Sequence, residues 1–147
     1  MRAICCAMAL SLLGAAHAAG RSAAPHLLTS GGRDFRVRPA TMVVGMVEIT
    51  GPDVSAPAYG AGHRGHIMWS RWATEADGRG EAWVPNGPGG GVRPHAASVR
   101  AWRVRGGRYT RLWWAYGVGS HRYQEWDQLM RFGDAYDWRV TRFTSGD

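Results

Sequence analysis

The chain has 147 residues, a length that suits one domain, and a formal net charge of +7 carried by arginine with no lysine at all. Its two cysteines, Cys5 and Cys6, stand side by side near the start, which excludes a disulfide framework, a thiol nucleophile and cysteine-ligated zinc from everything after them. The basic balance favours anionic partners, because the guanidinium fork matches phosphate and carboxylate; a GC-rich genome would also replace lysine by arginine, but the surface is basic either way.

In chain order, Arg2 supplies a positive start and Ala3 to Leu13 is apolar. Ala16-His17-Ala18 fits a small-x-small cleavage site. This predicts a signal peptide over 1–18, a mature chain beginning at Ala19 and a secreted, extracellular protein. The apolar run is short for a membrane span, and no later stretch approaches ~20 apolar residues, so no transmembrane segment is expected in the mature chain. Residues 19–33 are small and polar and read as a disordered leader. A single β domain is expected over 34–147.

Phe35 to Arg38 alternates with period two until Pro39. Met42 to Ile49 alternates again and reads as one strand, apolar on both sides at its start. The glycine- and proline-containing stretch from Thr50 to Gly65 reads as a loop. His66 to Pro85 reads as a hairpin turning at Asp77-Gly78. A β-bulge near Ser70-Arg71 would bring Trp69 and Trp72 onto one face, together with Trp83.

Asn86 to Gly91 cannot be regular structure. Ser98 to Val104 reads as a strand of unclear phase. Gly106-Gly107 is a strong hairpin turn, and Tyr109 to Tyr116 returns, with Tyr109, Arg111 and Trp113 in one phase and Leu112 and Trp114 in the other. Trp126, Leu129 and Met130 have helical spacing, so Tyr123 to Phe132 reads as strand or as a short helix. Trp138 to Phe143 reads as a last strand. The chain is therefore expected to be all-β: a small antiparallel sandwich or barrel of about six to seven strands, with room for one short helix.

Arg38-Pro39, Trp69-Ser70-Arg71-Trp72 and Gly78-Arg79-Gly80 together carry a resemblance. The pattern resembles a group of small secreted actinobacterial proteins of unknown function. That likeness implies secretion and a β fold and says nothing about chemistry. Members of the group carry a cysteine pair in the loop after the hairpin; here that loop, Asn86 to Gly91, has none.

No constellation assembles into a catalytic set, and none calls for a cofactor. His63 and His66 lie three apart in a glycine-rich stretch without a third ligand, so no metal site is expected. Glu75, Asp77 and Glu81 flank the expected turn and read as solvated carboxylates. Gly117 to Ser120 is not a nucleophile elbow, and the glycines of 87–91 lack the lysine of a phosphate loop.

What remains is the arginine-rich second hairpin. Arg103, Arg105, Arg108 and Arg111 are candidate anion-binding residues, and Tyr109 and Trp113 are candidate aromatic contacts beside them. Such a face suits a non-enzymatic domain that binds an anionic polymer or a protein at the cell envelope. The same cluster also suits a solvated edge that only blunts aggregation. The competing expectations are a small secreted hydrolase with an unrecognised site, and a structural or inhibitor-like interaction protein.

Overall fold

The computed structural model describes residues 23–45, 47–50, 67–85 and 92–146. The expected signal peptide, the stretch 51–65 expected as a loop, with His63, and also His66 and residues 86–91 lie outside the described residues, whereas Thr50, expected in that loop, ends strand β4.

The protein is all-β and antiparallel, and no helix occurs among the described residues. The strands are β1 (Leu27–Leu28), β2 (Phe35–Arg36), β3 (Met42–Val44), β4 (Val47–Thr50) and β5 (Met68–Trp72), followed by β6 (Glu75–Pro85), β7 (Val92–Arg105), β8 (Arg108–Val118), β9 (His121–Phe132) and β10 (Ala135–Gly146). One sheet runs in the order β10-β9-β8-β7-β6-β4-β3, with β5 also paired to β6, and it curls into a half-barrel. β1 and β2 form a separate two-stranded piece.

The curl has a local cause. On the inner face β6 and β7 oppose small residues: Ala76 faces Ala101, Gly78 faces Val99 and Gly80 faces Ala97. Short side chains there leave room for a second layer, and the β1 and β3 residues Leu27, Leu28, Met42 and Val44 fill it, each buried. Full burial of one such aliphatic side chain contributes about 1.5–3 kcal/mol. Trp138 closes the far side and donates its indole N–H to the Leu28 carbonyl at 3.2 Å.

Several expectations change. The domain begins well before Asp34: Leu27 and Leu28 have no exposed surface, so this part of the expected leader belongs to the core. Met42 to Ile49 is two strands, because Gly45 takes a φ of 58° and folds Val44 back onto Val47. The first hairpin turns at Ala73-Thr74, and Asp77-Gly78 lies inside β6. Gly78 is required there for space: a Cβ would lie 2.8 Å from Trp69 Cε3 and 2.9 Å from Ile67 Cγ2.

The bulge at Ser70 is present, between Trp69 and Arg71 in the β5–β6 register. It sets Trp69 and Trp72 edge-to-face with centroids 4.7 Å apart. Trp83 does not join them. It follows Ala82 of the core by one residue, so it faces the other side of β6, where Glu48 and Pro94 flank it. Tyr123 to Phe132 is strand β9, not helix. The expected turn at Gly106-Gly107 holds, with φ of 53° and 72°.

Candidate binding face on the outer side of the sheet

β7, β8, β9 and β10 alternate about a shared register. Ala101, Leu112 and Asp127 are buried inward, so their neighbours point outward. Two cross-strand rows result on the outer side. One runs Asp77–Arg100–Trp113–Trp126–Arg142, the other Glu75–Trp102–Arg111–Gln128–Arg139. Trp102, Trp113 and Trp126 therefore come from three adjacent strands onto one face. With Glu75, Arg100 and Gln124 they line a shallow cleft of about 490 Å³.

These tryptophans differ from those of the core. Trp69, Trp72 and Trp138 donate their indole N–H to the carbonyls of Pro39, Pro25 and Leu28, and Trp114 donates to the carboxylates of Glu125 and Asp127. Trp102, Trp113 and Trp126 are half-buried, and among the described residues their indole N–H groups have no protein acceptor. A half-buried ring with a free donor is an amphipathic contact surface, apolar on its face and polar at one edge.

The charge on this face is graded. At the β6 end, Arg71 and Arg100 neutralise Glu75 and Asp77: Arg71 Nη2 and Arg100 Nη2 both lie 2.9 Å from Glu75 Oε2. Arg100 and its neighbour Arg71 hold the Glu75 carboxyl below its ordinary range, the hydrogen bond from Arg100 being the largest cause. Towards β10 the cations are uncompensated. Arg111, Arg139 and Arg142 make no ion pair among the described residues. Arg142 lies over the Trp126 ring, its Cζ 4.7 Å from the centroid.

The structure divides the residues singled out in the sequence. Arg111 and Trp113 lie on the outer face, one in each row. Tyr109 does not. It has no exposed surface, packs edge-to-face on Trp72 at 5.3 Å and donates its hydroxyl to the Ala73 carbonyl at 2.6 Å. The cause is Arg103, whose φ of 61° breaks the pleat, so that Val104 and Tyr109 turn to the core beyond it. The same break explains the unclear phase of Ser98 to Val104.

Arg108 is held within the fold. Its guanidinium stacks on Phe35 at 4.6 Å and Tyr136 at 5.0 Å and donates to the Tyr136 hydroxyl at 3.0 Å. Arg103 and Arg105 are exposed near the turn, away from the cleft. The arginine cluster is thus dispersed: of the four, Arg111 alone shares the outer face, paired across strands with Trp102, and Arg100 is the arginine that lines the cleft.

Trp102 and Trp126 were missed because no local pattern marks them. A strand register placing Trp113 opposite both Arg100 and Trp126 would have found them, but it follows only from the pairing of three strands. No protein-family model, curated protein or solved structure matches the chain.

Proposed function

We propose that the protein is a secreted binding domain for an anionic glycan or similar anionic polymer of the cell envelope, held on the outer face of the half-barrel. The observation that carries this reading is the convergence of Trp102, Trp113 and Trp126, their indole donors free, beside the unpaired cation Arg111. Sugar rings stack on indole faces through their apolar C–H surfaces, and guanidinium groups pair with phosphate, sulfate or carboxylate substituents. A shallow open cleft suits a chain that passes across it better than a small substrate that must be enclosed.

Export is part of the proposal. It rests on the positive start, the apolar run of Ala3 to Leu13 and the Ala16-His17-Ala18 site. The likeness to secreted actinobacterial proteins points the same way.

Retention on heparin resin, a sulfated glycan, tests the reading. Wild type is expected to elute at clearly higher salt than Arg111→Gln, since each lost cation–anion contact reduces the counterions released. Trp113→Ala is expected to elute early as well, with its charge unchanged. Elution of all three proteins at the same salt would refute the assignment of this face.

A further inference from the structure

The opposite side of the sheet holds a second cleft. The half-barrel curls until its edge strands β3 and β10 approach one another, and a cleft of about 240 Å³ opens between them. Val44 and Val47 line one side, Trp138, Val140 and Phe143 the other. Its floor is polar. Glu125 and Asp127 project inward from β9, opposite Trp114 and Leu112 of β8.

Asp127 is 1% exposed. The Trp114 indole N–H is shared between Glu125 Oε1 and Asp127 Oδ2, at 3.2 Å each. No donor among the described residues reaches Asp127 Oδ1. A buried carboxylate oxygen without a donor is costly, and two ionised carboxylates sharing one indole donor repel each other. A proton or a cation relieves both costs.

We propose that this cleft binds an aliphatic ammonium ion, with Asp127 and Glu125 as the anionic anchor and the apolar lips of β3 and β10 around its alkyl chain. The ammonium group offers three donors, enough for the unmet Asp127 Oδ1 and for Glu125. Around it stand the aromatic rings of Trp114 and Tyr116, which also favour a cation. Val140 and Phe143 are 51% and 54% exposed, which leaves apolar surface at the mouth for a hydrocarbon tail.

Without such a ligand, a proton fills the same role. Burial first, and then the charge of Glu125, push the Asp127 carboxyl up to about 7. Burial also raises Glu125. Among the described residues, the groups facing the pair add no cation. Asp137 of β10 adds negative charge, and Tyr116 of β8 and Tyr123 of β9 stack beside Glu125. His95 of β7 meets the far side of Tyr116 at 6.1 Å. From β3, β4 and the turn between them, Val44, Val47 and Gly45 bring nothing titratable to the lining. An ammonium ligand entering below pH 7 must therefore displace a proton.

Calorimetric titration with hexylammonium chloride at pH 6 and pH 8, in buffers of different ionisation enthalpy, tests the proposal. The ligand is charged at both values, so any pH dependence belongs to the site. With one proton displaced, binding is expected to be about tenfold tighter at pH 8, with close to one proton released per ligand at pH 6. Hexanol is expected to bind at least about tenfold more weakly, having no charge to offer.

Glu125→Gln is expected to weaken hexylammonium by a similar factor, with an unchanged near-UV spectrum as the control for folding. Trp113→Ala is expected to leave it unaltered, which separates this site from the outer face. Absence of saturable binding, equal affinity for hexanol, or affinity independent of pH in the wild-type protein would each overturn the proposal.

Discussion

Gly78→Ala probes the packing that organises the first hairpin. The new Cβ would meet Trp69 Cε3 at 2.8 Å, Trp69 Cζ3 at 2.9 Å and Ile67 Cγ2 at 2.9 Å, all well inside ordinary contact. Trp69 cannot yield freely. Its indole donates to the Pro39 carbonyl at 2.9 Å, and its ring packs on Trp72 with centroids 4.7 Å apart. Overpacking of this kind costs about 1–3 kcal/mol. A strained or broken indole hydrogen bond adds about 1 kcal/mol. Against this, replacing a strand glycine lowers the entropy of the unfolded chain by about 0.4–1 kcal/mol.

The net expectation is a loss of about 1–4 kcal/mol, read as a lower urea midpoint at unchanged m-value. Gly117→Ala is the internal control, because a Cβ there meets only the His121 carbonyl oxygen at an ordinary 3.7 Å. It is expected to be neutral or mildly stabilising. A Gly78→Ala protein as stable as wild type would refute the close approach of Trp69.

Other perturbations have equally definite outcomes. The native Asp127 carboxyl titrates near 7 against an ordinary 3.8, so the folded state keeps a proton that the unfolded chain has already released. Wild type should therefore lose stability as pH rises from about 4 to 7, by up to about 4 kcal/mol, and level off above. Asp127→Asn should flatten that decline and be the more stable protein at pH 8 in denaturant titrations; an unchanged decline would place the titration elsewhere. Trp72→Ala should cost about 3 kcal/mol, the lower end for a large aromatic because the ring is only half-buried, as it empties the contacts with Trp69 and Tyr109; a near-neutral melt would contradict this. Arg108→Gln should lower stability by about 1 kcal/mol through loss of its stacking on Phe35 and Tyr136, without changing heparin retention; a retention change would bring Arg108 back into the binding face.

What was legible in the sequence follows from how local the signal is. The Gly106-Gly107 turn and the bulge at Ser70-Arg71 are set by adjacent residues, so alternation and turn chemistry found both. Gly78 was misread because glycine serves turns and close approaches alike. Only the Trp69 ring, nine residues earlier and one strand away, tells the two uses apart. Tyr109 was misplaced because alternation assumes an unbroken pleat, and nothing in the composition announces a left-handed φ at Arg103.

The site residues divide along the same line. Trp113 stood out on its own strand, whereas Trp102 and Trp126 became its neighbours only through register. Glu125 and Asp127 sit in a strand that is polar on both faces, Gln124 and Gln128 on one and the two carboxyls on the other. Which pair points inward is decided by Leu112 and Trp114 across the ladder, not by β9 itself.

The outer-face assignment is tested most directly by the indole signals of the protein in a nitrogen-15 correlation spectrum, titrated with a sulfated oligosaccharide. Of the chain's eight tryptophans, three line the outer cleft and four pack in the core, while Trp83 is buried apart from both sets beside Glu48 and Pro94 and serves as neither. The indole N–H signals of Trp102, Trp113 and Trp126 are expected to shift progressively and saturably, and those of Trp69, Trp72, Trp114 and Trp138 to stay in place. Shifts confined to the core set, or no shift at saturating ligand, would contradict a glycan-binding face on the outer side of the half-barrel.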